Sequence, residues 1–334
     1  MPWKTVQNKK KVEKRIKLAL IVLGLIILVI ILGNLVRLTQ TLFSPWKLDS
    51  SKAYLWDGQF NINLVLRAKT ISVFSYNPTD KKVTLIKIPD ETYLEVAQGF
   101  GSWQIRAIYD LGKSSKIEGN TLLKQSVSTF LGVPIDGYME VFGQLGEKEP
   151  EEIVELLLQS PFNIFMLLSN LKSDLTLWEL IRLKFVLSQV RFDKVKTVDL
   201  LSLNILDQQR LADGSIALIS DPIKIDSVIT SFYDSEIQNE HLSIAVFNAT
   251  SYPLLSKKAG RLVTNIGGNV IIATNAPSSL EKTKIVGQPS NTLKRLIQIF
   301  GCDNCDKIEL KDLGLDSSRG QINIFLGEDF YSKQ

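Results

Sequence analysis

The dominant feature in the pattern of apolar and polar positions is Leu18–Val36, LALIVLGLIILVIILGNLV, a run without a single charge. At about 1.5 Å rise per residue it reaches about 29 Å, close to the roughly 30 Å hydrocarbon core of a bilayer. The pattern therefore predicts a single transmembrane helix over 18–38. Lys4, Lys9, Lys10, Lys11, Lys14, Arg15 and Lys17 crowd the short preceding segment against one acid, Glu13, whereas Arg37 and Lys47 follow the run. That asymmetry predicts a cytoplasmic tail over 1–17, with the bulk of the chain extracytoplasmic and held at the cell membrane. The run is longer than a secretory apolar core and no small-x-small site follows it, so an uncleaved anchor is expected. Residues 39–51 read as a linker.

Beyond it the period shortens to two. Asn61–Leu66, Thr70–Tyr76 and Lys82–Ile88 read as strands, and Asn77-Pro78-Thr79-Asp80 supplies the turn of a hairpin between the last two. Helical spacing follows over Ser102–Leu111 and over Asn120–Leu131, the latter with Leu122, Leu123, Val127 and Phe130 on one face and Gly132 after its end. A strand is expected over 133–142. A helical region runs from Pro150 to Leu187, its last helix capped by Asp174 or Thr176. Extended segments over 194–203 and 215–220 and a helix over 226–235 complete a first region over 52–237.

A second region, 242–330, reads Ser243–Asn248 strand, a helix from Ala249 to about Thr264, Asn269–Ala273 strand, a short 284–286 strand, a helix after Asn291, and strands over 307–310 and 321–326. Alternating strands and helices predict two extracytoplasmic α/β (α+β) domains, the second a small three-layer or two-layer α/β sandwich.

Charge narrows the function. The net charge of 334 residues is +4, of which the 1–17 tail contributes +6, leaving the remainder near −2. A chain so balanced outside its tail is not a nucleic-acid binder. No Gly-rich phosphate loop, nucleophile elbow or zinc-binding pattern is present. His241 is the single histidine and stands between the two regions, where a linker or surface residue is expected.

Two stretches resemble known families. Val246-Phe247-Asn248-Ala249-Thr250, Ala259–Leu262, Gly267-Gly268-Asn269-Val270 and Ile324–Phe330 resemble the LytR C-terminal domain. Thr70–Phe74, Asn77–Pro89 and Leu131–Tyr138 resemble the LytR-CpsA-Psr family of envelope proteins. That resemblance implies an anchored extracytoplasmic α/β domain that moves a glycopolymer from a polyprenyl-pyrophosphate carrier to peptidoglycan. Where the family has Arg-Ser-Asp-Thr this sequence reads Arg67-Ala68-Lys69-Thr70, and where it has Pro-Arg-Asp-Thr the sequence reads Pro89-Asp90-Glu91-Thr92. A pyrophosphate ester is stabilised mostly by cationic clamps and metal ions, so Asp90 in place of an arginine adds a repelling charge.

The replacement candidates are Arg67, Lys69 and Arg106 as ligand-binding cations and Glu91, with Arg67 and Arg106, as catalytic candidates. Asp90 and Glu91 could hold Mg2+ in an active variant; otherwise no cofactor and no metal site is expected. The expected reading is a non-catalytic envelope protein that binds a cell-wall polymer, a polyprenyl-linked precursor or a protein partner. The alternative is a phosphotransferase with a rearranged site. Cys302 and Cys305 flank Asp303-Asn304, and outside the cytoplasm a local disulfide is expected there, with free thiols or metal and redox roles as alternatives.

Overall fold

The computed structural model describes Leu23 and residues 54–159, 170–211, 214, 216–302, 310–313 and 317–331. Among the described residues no helix is long and apolar enough to cross a membrane. This corrects the expected fold class, which opened on a transmembrane helix; apart from Leu23, residues 18–38 lie outside the described residues. What is described is a mixed α/β protein. Residues Leu48–Gln334 cluster as one unit, separate from Met1–Lys47.

Three antiparallel strands seed the first layer: β1 (Ile62–Arg67), β2 (Ile71–Asn77) and β3 (Lys82–Lys87). The hairpin between β2 and β3 closes as the sequence predicts, with Asn77 Oδ1 accepting from the Asp80 amide at 3.0 Å. The short strands β4 (Tyr93–Val96) and β5 (Gly101–Gln104) form their own two-stranded sheet. Helices α1 (Ile105–Ser114) and α2 (Gly119–Leu131) follow, then β6 (Gly137–Val141), α3 (Pro150–Leu158), β7 (Leu171–Ser173), α4 (Leu177–Leu187) and β8 (Val195–Asp199). The central sheet runs β7-β6-β1-β2-β3-β8, with β6 parallel to β1 and β8 parallel to β3.

Both faces of this sheet are covered. Val65, Ile71, Val73, Ile86 and Tyr138 pack with α1 and α2. Leu64, Leu66, Phe74, Leu85 and Met139 pack on the other side with α3 and α4. Strands buried on both faces explain the near-continuous apolar runs in the sequence. The pair β9 (Leu206–Arg210) and β10 (Ile216–Ser220) and helix α5 (Pro222–Val228) close this lobe.

Helix α6 (Ser235–Glu240) leads to the second lobe: β11 (Ser243–Asn248), α7 (Leu255–Asn265), β12 (Asn269–Asn275), β13 (Lys284–Gly287), α8 (Asn291–Phe300), β14 (Ile322–Leu326) and α9 (Glu328–Tyr331). Its sheet order is β12-β11-β14-β13, parallel except for β13 against β14. Helices α7 and α8 cover one face through Leu255, Ala259, Val263, Leu293, Leu296 and Phe300. On the opposite face Phe247 and Phe325 stack with centroids 4.8 Å apart.

Several boundaries differ from the sequence reading for local reasons. The helix expected from Ser102 starts at Ile105, because Gly101–Gln104 pairs with β4 and the Ile105 amide donates to the Thr92 carbonyl at 2.8 Å. The long helical region is interrupted by β7, and residues 160–169 lie outside the described residues. Thr176 caps α4 in a reciprocal box with Glu179, while Asp174 accepts from the Tyr138 amide instead. Helix α7 starts six residues after Ala249, because the Asn248 side chain binds Thr250 and the Tyr252 carbonyl in a turn. Ser290, not Asn291, caps α8. Leu310–Leu313 form a 3-10 turn where a strand was expected, and 303–309 lie outside the described residues.

Candidate functional site at the carboxyl edge of the central sheet

Because β1, β3, β6 and β8 are mutually parallel, their carboxyl ends share one edge, the place where open α/β sheets present ligand sites. Arg67 ends β1, Lys87 ends β3, Glu140 stands opposite Arg67 on β6, and Asp199 stands opposite Lys87 on β8. The turn carrying Lys69 and the segment carrying Asp90 and Glu91 leave from the same edge.

Arg67 is not free. Its guanidinium forms an ion pair with the Glu140 carboxylate and lies over the Tyr109 ring, 4.3 Å from the centroid. The Tyr109 hydroxyl donates to the other Glu140 oxygen at 3.3 Å, and Tyr109 stacks on the buried Tyr138 with 5.9 Å between centroids. Burial, reinforced by Glu140, pushes the Tyr138 hydroxyl far above the ordinary tyrosine value, so it stays protonated.

Lys69 Nζ donates to Glu149 at 2.7 Å, and that carboxylate raises the ammonium's pKa. Lys87 lies 3.0 Å from Glu151 and 3.9 Å from Glu149. Glu149 and Glu151 stand at the start of α3, where carboxylates also favour the helix dipole. Arg67, Lys69 and Lys87 each therefore have an acid from the chain itself.

Arg106 sits on the first turn of α1, exposed, with Nε donating to Gln104 Oε1 at 2.9 Å. Its charge lowers the Asp90 carboxyl, but burial and the neighbouring Glu91 outweigh it and raise Asp90 above the ordinary aspartate value. Glu91 is exposed, and its carbonyl accepts from Leu218 at 3.3 Å. Asp90 and Glu91 are joined by no third acid, His or Cys in a metal-binding group among the described residues, and the arginine facing Asp90 competes for its charge. His241 is exposed and adopts φ +49° as the left-handed cap of α6. Cys302 is buried and disulfide-bonded; Cys305 lies outside the described residues.

Sequence reasoning missed the acids. Glu140 alternates along β6 with Met139 and Val141 and reads as a solvent-facing strand residue. It also missed Tyr109 and Tyr138, whose spacing in sequence says nothing of their stacking.

No protein-family model and no curated protein matches the sequence. Similar solved structures include TagV of Bacillus subtilis, at 13% identity over 51% of this chain and 94% of that one, TM-score 0.41. TagT of the same organism shares 15% over 54% and 92%, TM-score 0.37, and the transcriptional regulator yvhJ of Bacillus subtilis 14% over 51% and 94%, TM-score 0.39. These neighbours are LytR-CpsA-Psr family proteins.

Proposed function

We propose that this is a cell-envelope protein that binds a cell-wall polymer without transferring it, with 52–237 as a LytR-CpsA-Psr-like part and 242–330 as a LytR C-terminal-like part. The observation that carries the reading is the neutralised edge: Arg67 on Glu140, Lys69 on Glu149, Lys87 on Glu151. Stabilising the charge that develops on a transferring phosphoryl group requires preorganised cations aimed at it. Cations already closed on carboxylates would have to break those pairs first. The acid-rich rim suits the hydroxyls of a sugar better than a pyrophosphate.

The test gives the full-length protein a polyprenyl-pyrophosphate-linked oligosaccharide and peptidoglycan, with Mg2+, and in parallel measures co-sedimentation with purified wall glycan. Sedimentation without turnover is expected. Turnover above the protein-free rate, abolished by Arg67→Ala, would establish the phosphotransferase alternative. Neither turnover nor sedimentation would sink the polymer reading and leave a protein partner.

A further inference from the structure

A second site lies away from the strand edge, where the two lobes meet. A cavity of about 460 Å³ opens between the β4–β5 hairpin, the carboxyl end of α2, the β10–α5 connection and the first turns of α7. A neighbouring cavity of about 380 Å³ shares Glu95, Thr129 and Lys258 with it. The volume is that of a small-molecule site.

Leu94, Ile225 and Leu262 form buried apolar wall, with Phe130 half-buried beside them. Lys257 and Lys258 stand at its exposed rim on one face of α7. The third cation, Arg261, is spent: its Nε donates to Asp226 at 2.9 Å, and its two terminal nitrogens donate to the Thr129 and Phe130 carbonyls. The rim also carries one acid, Glu95, so with Arg261 cancelled by Asp226 the open charge is one positive unit. Thr129 lines both cavities, but its hydroxyl oxygen is closed off from them, buried without a hydrogen-bond partner. Helix α7 adds to the sign, since its N-cap, Leu254, offers no side-chain cap to the first-turn amides.

We propose that this inter-lobe cavity binds a small organic carboxylate with an apolar body, its chain on Leu94, Phe130, Ile225 and Leu262 and its head group on Lys257 and Lys258. The assignment goes beyond the strand-edge reading and stands or falls separately from it.

The probe is dodecanoate, titrated into the full-length protein by calorimetry below its micelle concentration. Dodecyltrimethylammonium, the same chain with the opposite charge, is titrated in parallel. One saturable site is expected for dodecanoate, with the cationic analogue about tenfold weaker or more. Lys257→Glu with Lys258→Glu is expected to remove that preference. Both lysines are exposed, so the double variant is expected to keep its fold, checked by circular dichroism. Glu95→Gln is expected to tighten dodecanoate severalfold. Equal affinity for the two amphiphiles, a preference that survives in the double variant, or no saturable binding below millimolar overturns the proposal.

Discussion

Arg295 Nη2 donates to both carboxylate oxygens of Asp136, at 3.3 and 3.4 Å, with both side chains nearly removed from water at 1% and 3% exposure. The pair joins α8 of the second lobe to the segment that enters β6. Around it Arg295 Nη1 donates to the Tyr54 hydroxyl, which in turn donates to Asp136, both at 2.5 Å. Burial holds that hydroxyl well above the ordinary tyrosine range, so it keeps the proton it gives. Asp136 also accepts from the Asn63 amide at 2.7 Å, and Arg295 donates to the Asn61 carbonyl at 3.0 Å.

Removing Arg295 strands two buried carboxylates, Asp136 and Asp234, whereas removing Asp136 leaves Arg295 beside Asp234 at 3.6 Å. Arg295→Met is expected to cost about 3–5 kcal/mol of stability, and Asp136→Asn less, because Asp234 still faces the guanidinium. The double variant is expected to lose markedly less than the two losses added. Urea unfolding of all four proteins checks this; additive losses would mean the pair is not coupled.

Gly132 ends α2 in the left-handed region at φ +65°, and a Cβ there would come within 2.8 Å of the Arg261 guanidinium and of the Asn265 amide nitrogen. Gly132→Ala is therefore expected to destabilise by about 2 kcal/mol, from backbone strain and from displacing Arg261. In the Arg261→Ala background the same substitution is expected to cost less, because the strain and the Asn265 contact remain but the guanidinium is gone. Thermal unfolding of the two single variants and the double variant separates the contributions.

Glu240 caps α8 across the lobe boundary, accepting from the Asn291 amide at 2.9 Å and from the Thr292 amide at 2.8 Å. Burial works to raise its pKa, but the hydrogen bonds from Thr292 and Asn291 prevail and hold it below the ordinary glutamate value. A carboxylate so depressed contributes stability above its unfolded pKa, about 4.3, and loses it as pH falls through the lower folded value. Glu240→Gln is expected to cost about 1 kcal/mol at pH 7, with the gap to the parent closing below about pH 4. Unfolding midpoints at pH 7 and pH 3 check the sign.

Glu140→Gln uncovers Arg67 without changing side-chain size. Binding of inorganic pyrophosphate, weak in the parent, is expected to tighten about fivefold in this variant and to revert on adding Arg67→Ala. Calorimetry at low salt checks it. An unchanged affinity would mean that Glu140 is not what closes Arg67.

The elements legible in the sequence were those whose signal is local. The β2–β3 hairpin was read from period-two alternation around Asn77-Pro78, and the end of α2 from Gly132, because strand period and turn chemistry act over a few residues. The carboxyl edge was half legible. Arg67 and Lys69 stand where the sequence placed candidate cations, but their partners Glu140 and Glu149 lie 73 and 80 residues away. That pairing is set by sheet order and by the docking of α3. Arg295 was invisible for the same reason in stronger form. An arginine between Leu293 and Leu296 on an amphipathic helix reads as a solvent contact, and only the second lobe's seat against Asp136 and Asp234 buries it.

The end of α2 has its orphan carbonyls satisfied from far along the chain. Arg261 takes those of Thr129 and Phe130, and the Asn265 amide takes that of Leu131 at 3.3 Å. A helix finished by side chains more than 130 residues downstream has only water for those carbonyls until that later stretch has left the ribosome. The first lobe is thus expected to wait, partly frayed at α2, for the second during synthesis. A chain stopped near residue 240 is expected to show fast amide exchange at the end of α2 while the β1–β3 strands remain protected.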